Sequence, residues 1–129
     1  VRPIIAHDTI TQNIQSVKER GNGITVSKAI ETIIVNTPDT DGAIESIMTR
    51  DRCLLAKAPQ SFWLKDLVKA HELALKEGNN SYIDSASMMM AQGHRLYPVM
   101  GKPENIKITT PSDYYMFLGI LTNQELKNS

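Results

Sequence analysis

The sequence predicts an α/β fold interrupted by an antiparallel β insertion. Three observations carry this reading: helical periodicity toward both ends of the chain, short strand-like runs between the helices, and a β-rich stretch at 29–57 broken by turn chemistry. With 129 residues the chain is expected to be one domain, long enough to bury about two-thirds of its unfolded surface.

Each element follows from its local pattern. Residues 8–20 predict a helix with Ile10, Ile14 and Val17 on one face, Asp8 as its cap, and Gly21 and Gly23 beyond its end. A short strand is expected over 24–27. Strand-like runs at 29–36, 43–49 and 53–57 are separated by Thr37-Pro38-Asp39-Thr40-Asp41-Gly42 and by Arg50-Asp51-Arg52, whose Pro, Asp and Gly suit reversals. After Ala58-Pro59-Gln60 the helical period returns. It places Leu64, Leu67, Val68, His71 and Leu75 on one face, with Gly78 closing the helix. Residues 84–92 predict a short helix stopped by Gly93. A strand follows over 95–100, at a sheet edge because of Pro98, and a second short strand over 105–109. Thr110, Pro111 and Asp113 open a final helix whose apolar surface is Tyr114, Tyr115, Phe117, Leu118, Ile120 and Leu121.

Composition narrows the function. Lys+Arg and Asp+Glu balance at 14 each, which argues against a nucleic-acid-binding module, since phosphate backbones demand a basic excess. The longest apolar runs are too short to span a bilayer, so no membrane partner is expected. A single Cys53 excludes a disulfide framework and a Cys-based zinc site, and fits a reducing cytoplasm. Cys53 itself reads better as a small buried hydrophobe than as a reactive thiol. The histidines His7, His71 and His94 lack ligand spacing; His71 reads as a packed or boundary residue and His94 as a solvated turn residue. Met88, Met89 and Met90 read as core filling.

No self-contained catalytic motif is present: there is no GxGxxG, GxxxxGK, HExxH or GxSxG. The sharpest local signal is the loop, short strand and capped helix at 101–113. Ligands of open α/β sheets gather near such strand ends and helix N-termini. Lys107 lies in the middle of it, as either an anion-binding lysine or one that snorkels from an edge. Arg2, Arg50 and Arg52 offer guanidinium groups suited to bidentate phosphate contact, although solvated surface charge is the ordinary role of a turn arginine.

The string Asn105-Ile106-Lys107-Ile108-Thr109-Thr110-Pro111-Ser112-Asp113 resembles the N-I-K-I-T-x-P-x-D signature of the 2-C-methyl-D-erythritol 4-phosphate cytidylyltransferase family, shared by the related ribitol-5-phosphate cytidylyltransferases. The resemblance is collinear over nearly the whole chain. Val1-Arg2-Pro3 resembles the end of H-D-x-x-R-P, and Glu31-Thr32-Ile33 stands at D-T-I/M. Arg50 matches the arginine upstream of T-P-Q, where this chain has Ala58-Pro59-Gln60, and Asp84-Ser85-Ala86-Ser87 resembles T-D-x-A-S.

This resemblance implies a CTP-dependent transferase in which a sugar-alcohol phosphate attacks the α-phosphate of CTP and releases pyrophosphate. It implies part of a nucleotide-diphospho-sugar-transferase-like (Rossmann-like) sheet, with residues 29–57 as a protruding arm that pairs two subunits. By the same resemblance Lys107 offsets charge on the transferring phosphate, Arg2 and Thr32 contact the alditol phosphate, and Arg50 does so from the neighbouring subunit's arm. Mg²⁺ is implied as cofactor, held mostly by CTP and by a glycine-rich N-terminal half. None of that half is in this sequence, so the chain is expected to be the C-terminal part (1–129) of one longer cytidylyltransferase domain. Alone it should neither bind CTP well nor turn over, and it should expose an apolar sheet face or edge unless a partner covers it.

Two positions depart from the family. Ala58 replaces the threonine of T-P-Q and Ile83 that of T-D-x-A-S, so two hydroxyl donors are missing together. That leaves the particular polyol phosphate open. With methylerythritol phosphate the pathway would be isoprenoid synthesis; with ribitol phosphate, cell-wall or capsule polymer synthesis. A non-catalytic dimerising module that retains the fold is the alternative.

Overall fold

The computed structural model describes residues 1–38 and 41–129; Asp39 and Thr40 of the expected 37–42 turn lie outside the described residues. The helices are α1 (His7–Arg20), α2 (Leu64–Lys76), α3 (Ser85–Ala91) and α4 (Pro111–Asn128). The strands are β1 (Asn22–Lys28), β2 (Ile34–Asn36), β3 (Ile44–Ile47), β4 (Leu54–Phe62) and β5 (Pro98–Met100). A mixed sheet runs β4-β1-β5, with β1 antiparallel to β4 and parallel to β5. Strands β2 and β3 form a separate antiparallel ribbon, but the third run of the expected 29–57 excursion falls in β4 and pairs with β1 of the mixed sheet instead.

Helix α1 is fastened to the sheet by polar groups. Gly21 turns the chain at φ 95°, in the left-handed region, and its N–H donates to Val17 O at 2.9 Å. The expected stripe of Ile10, Ile14 and Val17 is corrected here: only Val17 is buried, and Thr9 and Asn13 take the buried face. Asn13 Nδ2 donates to Thr9 O and Thr25 Oγ1, both at 2.9 Å, while its Oδ1 accepts from the Ser61 hydroxyl at 3.1 Å. One side chain thus joins α1, β1 and β4, and burial is tolerated because its hydrogen bonds are made. Asp8 is not the cap. Ala6 occupies that position, and Asp8 Oδ1 accepts the Thr9 N–H inside the first turn.

Ala70 and Ala74 of α2 pack on Met88 and Met89 of α3, flanked by Phe62, Leu67, Tyr82 and Leu96. The predicted α2 face is therefore rotated: Leu67 is half-buried, while Leu64, Val68, His71 and Leu75 are exposed. Alanines permit the close helix contact, and the larger residues are left outside. Met88 and Met89 fill the core as expected, and Met90 does not. Cys53 is half-buried, with its Sγ 3.5 Å from Thr49 O.

Strand β4 runs past the predicted end at Lys57 through Ala58-Pro59-Gln60 to Phe62. Gln60 pairs with Ile24 and Ala56 with Val26, so Lys57, Ala58 and Pro59 together oppose Thr25. This bulge accommodates a proline that has no N–H to give the ladder. Strand β5 is an edge strand, as Pro98 predicts. Residues 105–109 do not form the expected strand. They run beside the start of the chain, with the Ile108 N–H donating to Val1 O at 2.9 Å. The turn into that segment requires Gly101, where a Cβ would lie 2.8 Å from Thr25 Cγ2. Helix α4 starts at the predicted Thr110 cap, which Asp113 completes into a capping box, but none of the helix's residues is buried.

Candidate functional site

The bulge of β4, the start of α3 and the 105–109 segment border an open cavity of about 630 Å³. It brings together four of the residues singled out in the sequence: Arg2, Lys107, Ala58 and Ile83. Lys57, Gln60 and Asp84 line it too. That Ala56, Lys57 and Ala58 all reach one cavity reflects the bulge, because regular strand alternation would turn the middle residue away.

The walls are tied by hydrogen bonds. Gln60 Nε2 donates to Asp84 Oδ2 at 2.9 Å, and its Oε1 accepts the Ala86 N–H at 3.0 Å, so one amide straps β4 to the start of α3. Asp84 caps α3 by accepting the Ser87 N–H at 2.8 Å and the Ser87 hydroxyl at 2.6 Å. Burial works against its charge, but the Ser87 and Gln60 hydrogen bonds hold its carboxyl below the ordinary range. On the opposite wall Asn105, buried to 2% exposure, donates from Nδ2 to Ala58 O at 2.6 Å, a carbonyl in the bulge itself. Its backbone oxygen accepts from Arg2 Nη1 at 2.9 Å and from Lys57 Nζ at 3.2 Å.

Charge at the cavity is unbalanced. Arg2, Lys57 and Lys107 face one carboxylate, Asp84, which is already engaged by Gln60 and Ser87. Among the described residues the ion pair found is Lys102 with Asp8, away from this cavity, so none of the three cations has a carboxylate partner. Burial lowers the pKa of Arg2, and burial followed by the charge of Arg2 lowers that of Lys57. Such a cluster of unpaired cations favours a polyanion.

The other two predicted contacts lie elsewhere. Thr32 lines a cavity of about 400 Å³ with Ala29, Ile30 and Leu55 at the base of the β2–β3 ribbon. Arg50 reaches the same place, its Nη1 donating to Ile30 O at 3.0 Å. Within one chain they do not join Arg2 and Lys107. His71 is exposed and lines a third cavity, of about 340 Å³, with Tyr82 and Met88. His94 is exposed, as its turn position predicts.

Sequence reasoning missed Lys57 and Asn105. The available signal was a lysine one residue before Ala58-Pro59, where a proline inside a strand marks a bulge. The residues present do not make a Mg²⁺ site. Among the described residues no three His, Cys, Asp or Glu side chains converge, and Asp84 is turned to its hydrogen-bond donors.

Comparison with known proteins gives the family in which this cavity sits. Residues 1–123 match the family described as IspD, 2-C-methyl-D-erythritol 4-phosphate cytidylyltransferase. The ribitol-5-phosphate cytidylyltransferase of Vibrio parahaemolyticus serotype O3:K6 is 39% identical over 125 residues, covering 97% of this chain and 52% of that protein. The enzyme of that name from Streptococcus agalactiae serotype V is 41% identical, covering 97% and 51%. This chain therefore spans about half the length of the curated relatives it matches. The solved structure of 4-diphosphocytidyl-2C-methyl-D-erythritol synthase from Anaerococcus prevotii shares the fold, with TM-score 0.83 and 23% identity over 95% of this chain and 55% of that one. The expected Rossmann-like α/β architecture is thereby established. With its cation-lined cavity at the positions that carried the resemblance, the chain belongs to the 2-C-methyl-D-erythritol 4-phosphate cytidylyltransferase (IspD) family.

Proposed function

We propose that this chain provides the polyol-phosphate side of a CTP-dependent cytidylyltransferase, and that the polyol phosphate is ribitol 5-phosphate. The carrying observation is the set of three cations without carboxylate partners around the 630 Å³ cavity. A phosphate oxygen of the alditol phosphate attacks the α-phosphorus of CTP; a new P–O bond forms, the α–β bridge breaks, and pyrophosphate leaves. Lys107 offsets the charge that builds on the transferring phosphate, and Arg2 orients the nucleophilic phosphate. Mg²⁺ would be held mainly by the triphosphate, where it would offset phosphate charge. The choice of ribitol 5-phosphate rests on the names of the relatives near 40% identity and on Ala58 and Ile83, which offer no hydroxyl to a substrate.

The exposed apolar surfaces support an assembled state. Ile10 and Ile14 on α1, Leu64 and Val68 on α2, and Tyr114, Tyr115 and Leu118 on α4 are all exposed. Soluble proteins rarely leave so many large apolar groups to water. We infer that further chain of the kind its longer relatives possess packs on the helix faces, and that the β2–β3 ribbon pairs two copies. The dimer would bring Thr32 and Arg50 of one copy to the cavity of the other.

The test is CTP-dependent pyrophosphate release by the complete protein containing this chain, with ribitol 5-phosphate and methylerythritol 4-phosphate offered in parallel. Release with ribitol 5-phosphate alone is expected. Release only with methylerythritol 4-phosphate would overturn the substrate assignment. Silence with both, together with no binding of CTP, would favour the non-catalytic dimerising module that the loss of both hydroxyls also fits.

A further inference from the structure

We propose that Lys57 is a substrate-binding residue that forms, with Arg2, a two-cation seat for the phosphate of the polyol phosphate. This rests on the reading of the cavity as a polyol-phosphate site.

Three observations converge on Lys57. First, the β4 bulge sets three residues against Thr25 and turns Lys57 into the cavity beside Ala58, whose side chain is only a methyl group. Bulges re-aim side chains in this way. Second, Lys57 Nζ and Arg2 Nη1 share one acceptor, the Asn105 carbonyl, at 3.2 and 2.9 Å, with no carboxylate partner for either among the described residues. Two like charges held on one carbonyl repel each other, and a bound dianion relieves that repulsion. Third, the shared acceptor is rigidly placed. Asn105 is buried and returns a hydrogen bond from Nδ2 to Ala58 O, next to Lys57. The circuit from bulge to Asn105 to the two cations holds both donors in place before substrate arrives, which lowers the ordering entropy of binding.

A phosphate monoester suits this seat. Its terminal oxygens can accept from the Arg2 fork and from the Lys57 ammonium together, with two negative charges facing two positive ones. Lys107, on the same cavity, remains available for the transferring phosphate. The competing role for Lys57 is a structural tie to the 105–109 segment, and the two roles give different readouts.

The experiment compares wild type, Lys57→Met and Lys57→Arg in the complete protein. It measures KM for ribitol 5-phosphate, KM for CTP, and the rise in Tm produced by inorganic phosphate. Lys57→Met is expected to raise KM for the polyol phosphate by about tenfold to a hundredfold, as for loss of a hydrogen bond to a charged group, with KM for CTP unmoved. Lys57→Arg should restore most of the affinity, and phosphate should protect Lys57→Met less than wild type. The proposal is overturned if KM for the polyol phosphate is unchanged in Lys57→Met. It is equally overturned if both KM values rise together as Tm falls, or if phosphate protects all three proteins alike. Should wild type turn over neither polyol phosphate while its protection by phosphate still depends on Lys57, the anion seat stands and the cytidylyl-transfer reading fails.

Discussion

Lys57 and Asn105 are tied by one set of hydrogen bonds and Gln60 and Asp84 by another, whereas Thr32 and Arg50 flank a ribbon whose two strands are exposed along their whole length. At the cavity every wall is tied to another: β4 to α3 through Gln60, and the bulge to the 105–109 segment through Asn105. At the ribbon, Ile34, Ile44 and Ile47 are each more than half exposed, and an isolated two-stranded hairpin is marginal in water. The cavity group is held in place by its own chain. The ribbon group has no such support within the chain, and on the proposed dimer reading it would acquire a fixed position against the second copy.

The largest effect is expected where preorganisation serves chemistry. In the complete protein Lys107→Ala should lower kcat by about 100- to 1,000-fold, the range seen when one transition-state donor is removed. KM for CTP should move little, because the lysine acts on charge that develops during transfer. Steady-state kinetics decide it, and unchanged turnover would remove Lys107 from the mechanism.

The scaffold beneath the cavity gives the second effect. Asn13→Ala leaves Thr25 Oγ1 and the Ser61 hydroxyl without their partner inside the α1–β1–β4 junction. A loss of about 1–3 kcal/mol in unfolding free energy is expected from stranded buried polar groups. Urea denaturation of the variant measures it. A loss below this range would mean that α1 is held by apolar contact, and the polar junction would lose the role given to it.

Much of this architecture is legible in the sequence wherever the determinant is local. Thr110 and Asp113 fix the start of α4, Asp84 that of α3, and Gly21 the end of α1, because capping uses neighbours in the chain. Burial is legible only with knowledge of what lies opposite. Asn13 is buried because Thr25 accepts from it and Ser61 donates to it, and Ala70 and Ala74 because Met88 and Met89 approach them. Pro59 reads as a strand end until the bulge accommodates it. At the site, Arg2, Ala58, Ile83 and Lys107 are far apart in sequence yet converge in space, as their resemblance to family motifs implies. Lys57 was hidden because its direction depends on strand register, a property of two strands together.

The ribbon provides the third effect. Arg50→Ala should raise KM for the polyol phosphate by about tenfold, as for loss of one charged hydrogen bond. Mixing subunits sharpens the contrast between cavity and ribbon. If the arm serves the neighbouring copy, Arg50→Ala and Lys107→Ala proteins allowed to exchange subunits, and assayed well below KM for the polyol phosphate, should rise to about a quarter of wild-type activity, since each heterodimer regains one intact site. An arm that serves its own cavity gives no recovery, and the dimer assignment would then be withdrawn.

The smallest effect concerns the entrance to α4, which closes the 105–109 segment. Asp113 accepts the Thr109 N–H at 3.0 Å, the Thr110 N–H at 2.7 Å, and both threonine hydroxyls. These bonds, the Thr109 N–H foremost, hold its carboxyl below the ordinary 3.8, at about 2. The folded pKa is thus depressed relative to the unfolded chain. Its stabilising contribution is complete above the unfolded value of about 3.9 and is lost as pH falls toward the folded one. Asp113→Asn should therefore have a lower Tm than wild type at pH 6, and the gap should close between pH 4 and pH 2, about the two pKa values. Melting curves of both proteins across that range test the sign. Because the carboxylate is open to solvent the gap is small, and a gap that persists unchanged to pH 2 would assign the cap's effect to hydrogen bonding by the carboxyl group and not to its charge.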